Sequence, residues 1–218
     1  MTHKVKKIYF ILAVLIVVLF VSSIIVFTKV GLNDVNEKDI IKSTINSPEL
    51  GKSSSENVII EFMDFKCPYC KKFEFTTYNK LESKYISKGK AKFRVVNASI
   101  LGDDSVRAAR AAHALNIYYP NKYWEFHHTL LQIQPDNENE WITSDLIDSQ
   151  LEKLNIPKDK LELIKKDYKT KGSKSWELAN KDKKLYKKYK NKYVPSVYVN
   201  GKFIKNPYSI KELEKYMK

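Results

Sequence analysis

The sequence predicts an α/β fold in which a helical insertion separates two halves of a small sheet, preceded by one membrane-spanning helix. Three observations carry this reading. An apolar run at residues 58–65 ends at a closely spaced pair of cysteines and gives way to a helical pattern. From residue 103 to about 192 the periodicity is helical. Two short apolar runs then flank Asn200-Gly201 and lead into a last helix.

Residues 8–28 carry no charge and are bounded by Lys4, Lys6 and Lys7 on one side and Lys29 on the other. About 20 apolar residues suffice to cross a bilayer. A cleaved leader has a shorter core of about 7–15 residues and a small-residue cleavage site. Ser22-Ser23, the nearest such site, is followed by apolar Ile24-Ile25-Val26-Phe27. The expectation is an uncleaved signal-anchor. The lysine excess ahead of the span keeps residues 1–7 in the cytoplasm and exports the rest. The protein is thus expected in the cell membrane, single-pass, with the domain after the span on the extracytoplasmic side. That side is oxidising enough for disulfide chemistry.

Residues 29–50 are polar and are read as a stalk, and residues 51–218 are enough for one domain with a sizeable core. The net charge is +14, of which +10 lies beyond residue 30. Lysines between 181 and 188 are interleaved with Leu185, Tyr186 and Tyr189, a pattern that nucleic-acid binders share. A solvated helix face attracted to anionic lipid or cell-wall polymer accounts for it. No nucleic-acid partner is expected.

The elements follow in order. Residues 58–65 read as a buried strand, residues from 71 on as a helix, and residues 91–96 as an alternating strand. Helices are expected over 104–116, 123–131, 143–154 with a Thr143 cap, 158–168 and 173–191. Asn200-Gly201 between apolar runs predicts a hairpin with a type I′ turn, since both central residues need φ > 0. Ser209 is expected to cap a final helix through residue 217.

The only two cysteines of the chain form Cys67-Pro68-Tyr69-Cys70. Such a pair at a strand-to-helix junction is the mark of a thioredoxin-type redox site. Cys67 at a helix N-terminus faces unpaired backbone N–H groups and the positive end of the dipole. Pro68 suits the first turn because it lacks an N–H. Stepping from Cys70, residues Phe73, Thr77, Leu81 and Tyr85 fall on one inward face, so Cys70 is expected buried and Cys67 solvent-facing. Lys66, Lys71 and Lys72 add positive charge. Such surroundings lower a thiol pKa from about 8.5 into the range of about 3.5–7.5. Cys67 reads as the nucleophile and Cys70 as the resolving thiol.

Other readings of the pair are weaker. A structural staple gains little from so short a loop. Zinc held by the pair would need two further ligands from His3, His113, His127 and His128. His127 and His128 are adjacent and point about 100° apart on a helix. A silent buried pair is the third alternative. No metal and no cofactor beyond the Cys67–Cys70 disulfide is expected. The acidic run 136–140 lacks the glycine and spacing of an EF-hand loop and reads as solvated.

Residues 47–75, with Gly51, Glu61-Phe62-Met63-Asp64-Phe65 and Cys67-Pro68-Tyr69-Cys70, resemble the exported DsbA-like thiol:disulfide oxidoreductases, most of all the membrane-anchored Gram-positive BdbD type. Lys122-Tyr123-Trp124-Glu125-Phe126-His127 looks like their inserted helical domain. Val194-Pro195-Ser196 sits where the family has its cis-proline loop. The resemblance implies a thioredoxin fold with an inserted α-helical domain. It also implies a monomeric oxidase that donates disulfides to exported proteins with free thiols and is reoxidised by a membrane quinone-linked thiol oxidase.

On that basis Pro195 is expected cis and near the disulfide, its loop offering backbone groups to an extended substrate. Glu61 matches a buried acid that moves protons for the resolving thiol; the alternative is a polar residue on a solvent-facing side of the strand. Pro68, Tyr69 and Val194 are supporting residues. Asp64 is expected to be structural, and His113, His127 and His128 to be packing residues. The Pro-Tyr dipeptide is shared with glutaredoxins, and Val194 replaces the threonine of many relatives, so neither sets the redox direction. A membrane-anchored reductase or isomerase, and a surface-anchored binding protein without chemistry, are the alternative functions.

Overall fold

The computed structural model describes residues 14–20, 37–136 and 139–218. Residues 14–20 are helical, and the rest of the expected span lies outside the described residues. Among the described residues, no helix is long and apolar enough to cross a membrane.

Residues 37–218 hold the sheet and its helices. Helix α1 (Glu37–Ser43) leads to strand β1 (Glu49–Gly51) and then β2 (Asn57–Met63). The active-site helix follows, running through α2 (Pro68–Phe73), a π-helical stretch (Glu74–Tyr78), α3 (Asn79–Leu81) and a second π-helical stretch (Glu82–Ile86). After β3 (Ala91–Asn97) comes the insertion: α4 (Asp103–Tyr118), α5 (Tyr123–Gln132), α6 (Ser144–Glu152), α7 (Lys158–Lys169) and α8 (Lys174–Lys188). Strands β4 (Ser196–Val199) and β5 (Lys202–Phe203) and helix α9 (Ile210–Glu214) close the chain. The sheet order is β1-β3-β2-β4-β5, with only β2 and β3 parallel.

Strand β2 is central and buried along all its length, which is why it reads as a continuous apolar run. Its alternation sends Ile59, Glu61 and Met63 to one face and Val58, Ile60 and Phe62 to the other. Phe62 packs on the rings of Tyr186, Tyr189 and Tyr198. Phe93, level with Ile59 on β3, packs on Tyr78 and Trp124. Glu61 therefore lies on the face that carries the active-site helix. Strand β3 is also buried nearly throughout rather than alternating, because it lies between two strands with helices packed against it.

Several expectations need correction. Residues 29–50 are not all stalk: α1 buries Ile40, and Arg94 binds Ile41 O at 2.9 Å and Glu49 Oε2 at 2.6 Å. Seven residues are too few for a helix to hold by propensity, so this one depends on tertiary contacts that local sequence does not display. The second π stretch adds a residue to the turn, so the buried face passes from Leu81 to Ile86 and leaves Tyr85 half-exposed. Tyr85 instead donates to Glu214 Oε1 at 2.7 Å. Thr143 and Ser173 cap α6 and α8 through their side chains. Ser209 makes no side-chain cap, and α9 ends at Glu214, short of residue 217. The hairpin turn has φ of 50° at Asn200 and 88° at Gly201, as its type requires.

Candidate active site

The C-x-x-C pair lies at the junction of β2 and α2. Cys67 is the N-cap, with extended backbone; its carbonyl accepts from the N–H groups of Cys70 and Lys71 at 3.0 and 3.1 Å, and Pro68 opens the first turn. Both cysteines are thiols.

Cys70 is 1% exposed, as its place on the inward face demands. Cys67 is only 4% exposed, against the expectation of a solvent-facing sulfur. The reason is the loop before β4: the Cys67 thiol donates to Val194 O at 3.3 Å. The Val194–Pro195 peptide is cis, as expected, and this loop lies over the sulfur.

The two thiols have opposite electrostatics. The hydrogen bond from the Cys70 side chain lowers the Cys67 pKa, helped by the backbone N–H groups of Cys70 and Tyr69 against opposing burial. Burial pushes Cys70 well above the ordinary thiol range, and a Cys67 thiolate and Glu61 push it further. None of the three lysines is among the leading influences on Cys67, and each is engaged elsewhere. Lys66 pairs with Asp104 at 3.1 Å, Lys71 donates to Gln134 O at 2.6 Å, and Lys72 lies 4.8 Å over the Tyr208 ring. The thiolate is held by its partner thiol and by the helix N-terminus instead.

Glu61 is 2% exposed in the middle of β2, paired with Val95 and Val197, so the solvent-facing alternative is excluded. Burial, reinforced by Glu74 and Cys67, raises its pKa well above the usual carboxylate range. Asp64 is structural as expected: Oδ1 accepts from Lys66 N and Oδ2 from the N–H groups of Ile100 and Leu101. His113 is buried 2.9 Å from Asp182, which also accepts from Asn97 N.

Tyr69, 61% exposed, forms the rim of a groove beside the disulfide site. Tyr69, Tyr193, Val194, Pro195, Pro207 and Tyr208 line its volume of about 340 Å³. Tyr208 closes one side by donating to Tyr69 O at 3.2 Å. Sequence reasoning named Tyr69, Val194 and Pro195 but missed Tyr193, the residue before Val194, and Tyr208, which comes from a separate segment.

It also missed Glu74. Burial would raise this carboxyl, but the His127 and His128 imidazoles outweigh it and hold the pKa at about 2. The two histidines are thus more than packing residues, and they converge on a residue one turn beyond Cys70. Of the acidic run 136–140, residues 137 and 138 lie outside the described residues; Glu140 is exposed and 3.3 Å from Arg107.

Comparison with known proteins agrees with this geometry. The family described as thioredoxin matches residues 43–218. Disulfide bond formation protein D of Bacillus subtilis is 37% identical over 161 residues, which cover 73% of this chain and 70% of that protein. The crystal structure of oxidised BdbD from Bacillus subtilis matches with a TM-score of 0.72 at 33% identity, covering 80% of this chain and 91% of that one. The thiol-disulfide exchange protein α-DsbA2 of Wolbachia pipientis, at 22% identity and a TM-score of 0.67 over 84% and 94% of the two chains, shares the fold. The chain therefore belongs to the thioredoxin family, and within it to the DsbA-like thiol:disulfide oxidoreductases of the BdbD type.

Proposed function

We propose that this oxidoreductase works as an oxidase, anchored through residues 8–28 with its domain outside the membrane, giving its disulfide to exported proteins. The observation that carries the direction is the asymmetry of the pair: a lowered Cys67 and a raised Cys70. Stabilising a thiolate that exists only in the reduced protein favours reduction of the disulfide, which makes the oxidised form a stronger oxidant.

A substrate thiolate attacks Cys67 Sγ of the oxidised pair. The Cys67–Cys70 bond breaks, its electron pair passes to Cys70, and Cys70 takes up a proton. Glu61, a buried acid with a raised pKa, is the group suited to supply that proton. A second substrate thiolate then attacks the substrate sulfur of the mixed disulfide and expels Cys67. A low-pKa thiol leaves fast. Two electrons have moved from two substrate thiols to the pair, and a membrane quinone-linked thiol oxidase removes them. The groove beside Pro195 suits an extended chain, with aromatic walls for side chains and loop backbone for hydrogen bonds.

The test is the reduction potential of the pair in glutathione buffers. A value well above about −200 mV, toward the DsbA value of about −120 mV, is expected. A value near −270 mV, typical of thioredoxin, would make the protein a reductase.

A further inference from the structure

We propose that Glu74, His127 and His128 form a binding site for one divalent cation of the zinc class, separate from the thiols. Glu74 starts the first π-helical stretch of the active-site helix and is buried. His127 and His128 come from α5. Adjacent residues on a helix project about 100° apart. Here the carboxylate sits between them: His128 Nδ1 is 2.5 Å from Oε1, and His127 Nε2 is 3.8 Å from Oε2. One ligand atom from each of the three residues can be chosen so that all lie within 4.8 Å of one another.

The polar accounting points to a ligand. His127 is fully buried, yet neither ring nitrogen has a hydrogen-bond partner, and Glu74 Oε2 has none either. Folded proteins rarely leave such atoms unused. A cation between them would use Glu74 Oε2 and His127 Nε2 at once. The rings of Phe65, Tyr78, Tyr123 and Trp124 wall the cluster, so water does not compete from those sides. His128, 36% exposed, marks the side from which an ion enters and where a water completes the coordination.

Two imidazoles and one carboxylate suit zinc and its neighbours, whereas calcium and magnesium require mostly oxygen ligands. Three protein ligands plus an open fourth position is a common zinc arrangement. With zinc–ligand bonds of about 2.0–2.2 Å, tetrahedral ligand atoms stand about 3.4 Å apart, so spacings that all lie within 4.8 Å need to change by no more than about 1.4 Å. Glu74 is four residues after Cys70, so the bound ion would be a neighbour of the redox pair without touching sulfur.

The test uses the full chain, purified in detergent without a histidine tag and fully oxidised, so that no thiolate competes. Zinc is titrated by calorimetry, and cobalt(II) by its visible absorption. One equivalent of zinc should bind, and Glu74→Gln and His128→Gln should each weaken it by about tenfold or more. His128 is partly exposed, so its variant reports on ligation even where Glu74→Gln disturbs folding, which thermal melts will show. Absence of stoichiometric binding by the disulfide form overturns the proposal. So does undiminished binding in His128→Gln, or binding that appears only after reduction and is lost in the Cys67→Ser, Cys70→Ser double variant.

Discussion

The Cys67 thiol donates to the carbonyl of Val194, a residue 127 positions away in the chain, at 3.3 Å. This contact joins the two halves of the sheet at the reacting atom. It also explains how a cysteine at a helix cap becomes nearly as buried as its partner.

The thiols should titrate far apart. Cys67, with its lowered pKa, is the thiol that ionises first as pH rises, and Cys70, raised by burial, ionises last. Alkylation of the reduced protein should modify Cys67 first, with a rate that rises with pH through a midpoint below the ordinary value of about 8.5. A midpoint at or above that value would remove the electrostatic basis of the oxidase reading.

Replacing the sulfurs one at a time separates their roles. Cys67→Ala should lower oxidative refolding of a reduced substrate by about a thousandfold or more, since it removes the attacked atom. A variant keeping Cys67 but carrying Cys70→Ala should accumulate a mixed disulfide with substrate, visible on non-reducing gels. An unaltered protein that refolds substrate no faster than the uncatalysed reaction, and no faster than Cys67→Ala, would leave only a binding role.

Glu61 should cost stability as pH rises. Its folded pKa lies above the unfolded value of about 4.3. Between the two values the native state holds more protons than the unfolded chain, so stability is greatest below the unfolded pKa and declines across the window. Each unit of displacement corresponds to about 1.4 kcal/mol. Glu61→Gln in the disulfide form, where neither thiol titrates, should flatten this decline and raise the melting temperature at neutral pH. Parallel stability curves for the two proteins would contradict the assignment.

Gly201 holds the hairpin turn against the first helix. It has φ of +88°, and a Cβ there would meet Glu37 Cα and O at 2.5 Å. Gly201→Ala should destabilise by about 1–3 kcal/mol, because it adds a left-handed conformation to a backbone collision. That amounts to roughly 2–12 °C in melting temperature for a chain of this size. An unchanged midpoint would mean that α1 does not dock on the turn.

Much of this protein is legible in one dimension wherever a local pattern has one physical solution. Cys67-Pro68-Tyr69-Cys70 after an apolar run favours one reading over a staple, a zinc site or a silent pair, since proline and a helix N-terminus select a place for the first sulfur. Asn200-Gly201 determines its turn because few residues tolerate φ > 0. Thr143 and Ser173 cap helices through their own side chains. Ser209 accepts from the first turn through its carbonyl, as Thr143 and Ser173 do, but its hydroxyl makes no cap bond.

What the sequence determined by itself was the order of the elements from β2 onward, the thioredoxin fold with its helical insertion and the place of the cysteine pair, all of which follow from periodicity and spacing along the chain. Tertiary structure alone decided the burial of Cys67 under Val194, the source of its stabilisation in Cys70 rather than in three nearby lysines, the docking of α1, and the meeting of Glu74 with His127 and His128. Each of these joins residues far apart in sequence or reverses the pull of near ones. Burial and long-range hydrogen bonds depend on which surfaces meet, and that is settled only when the sheet and its insertion close on each other.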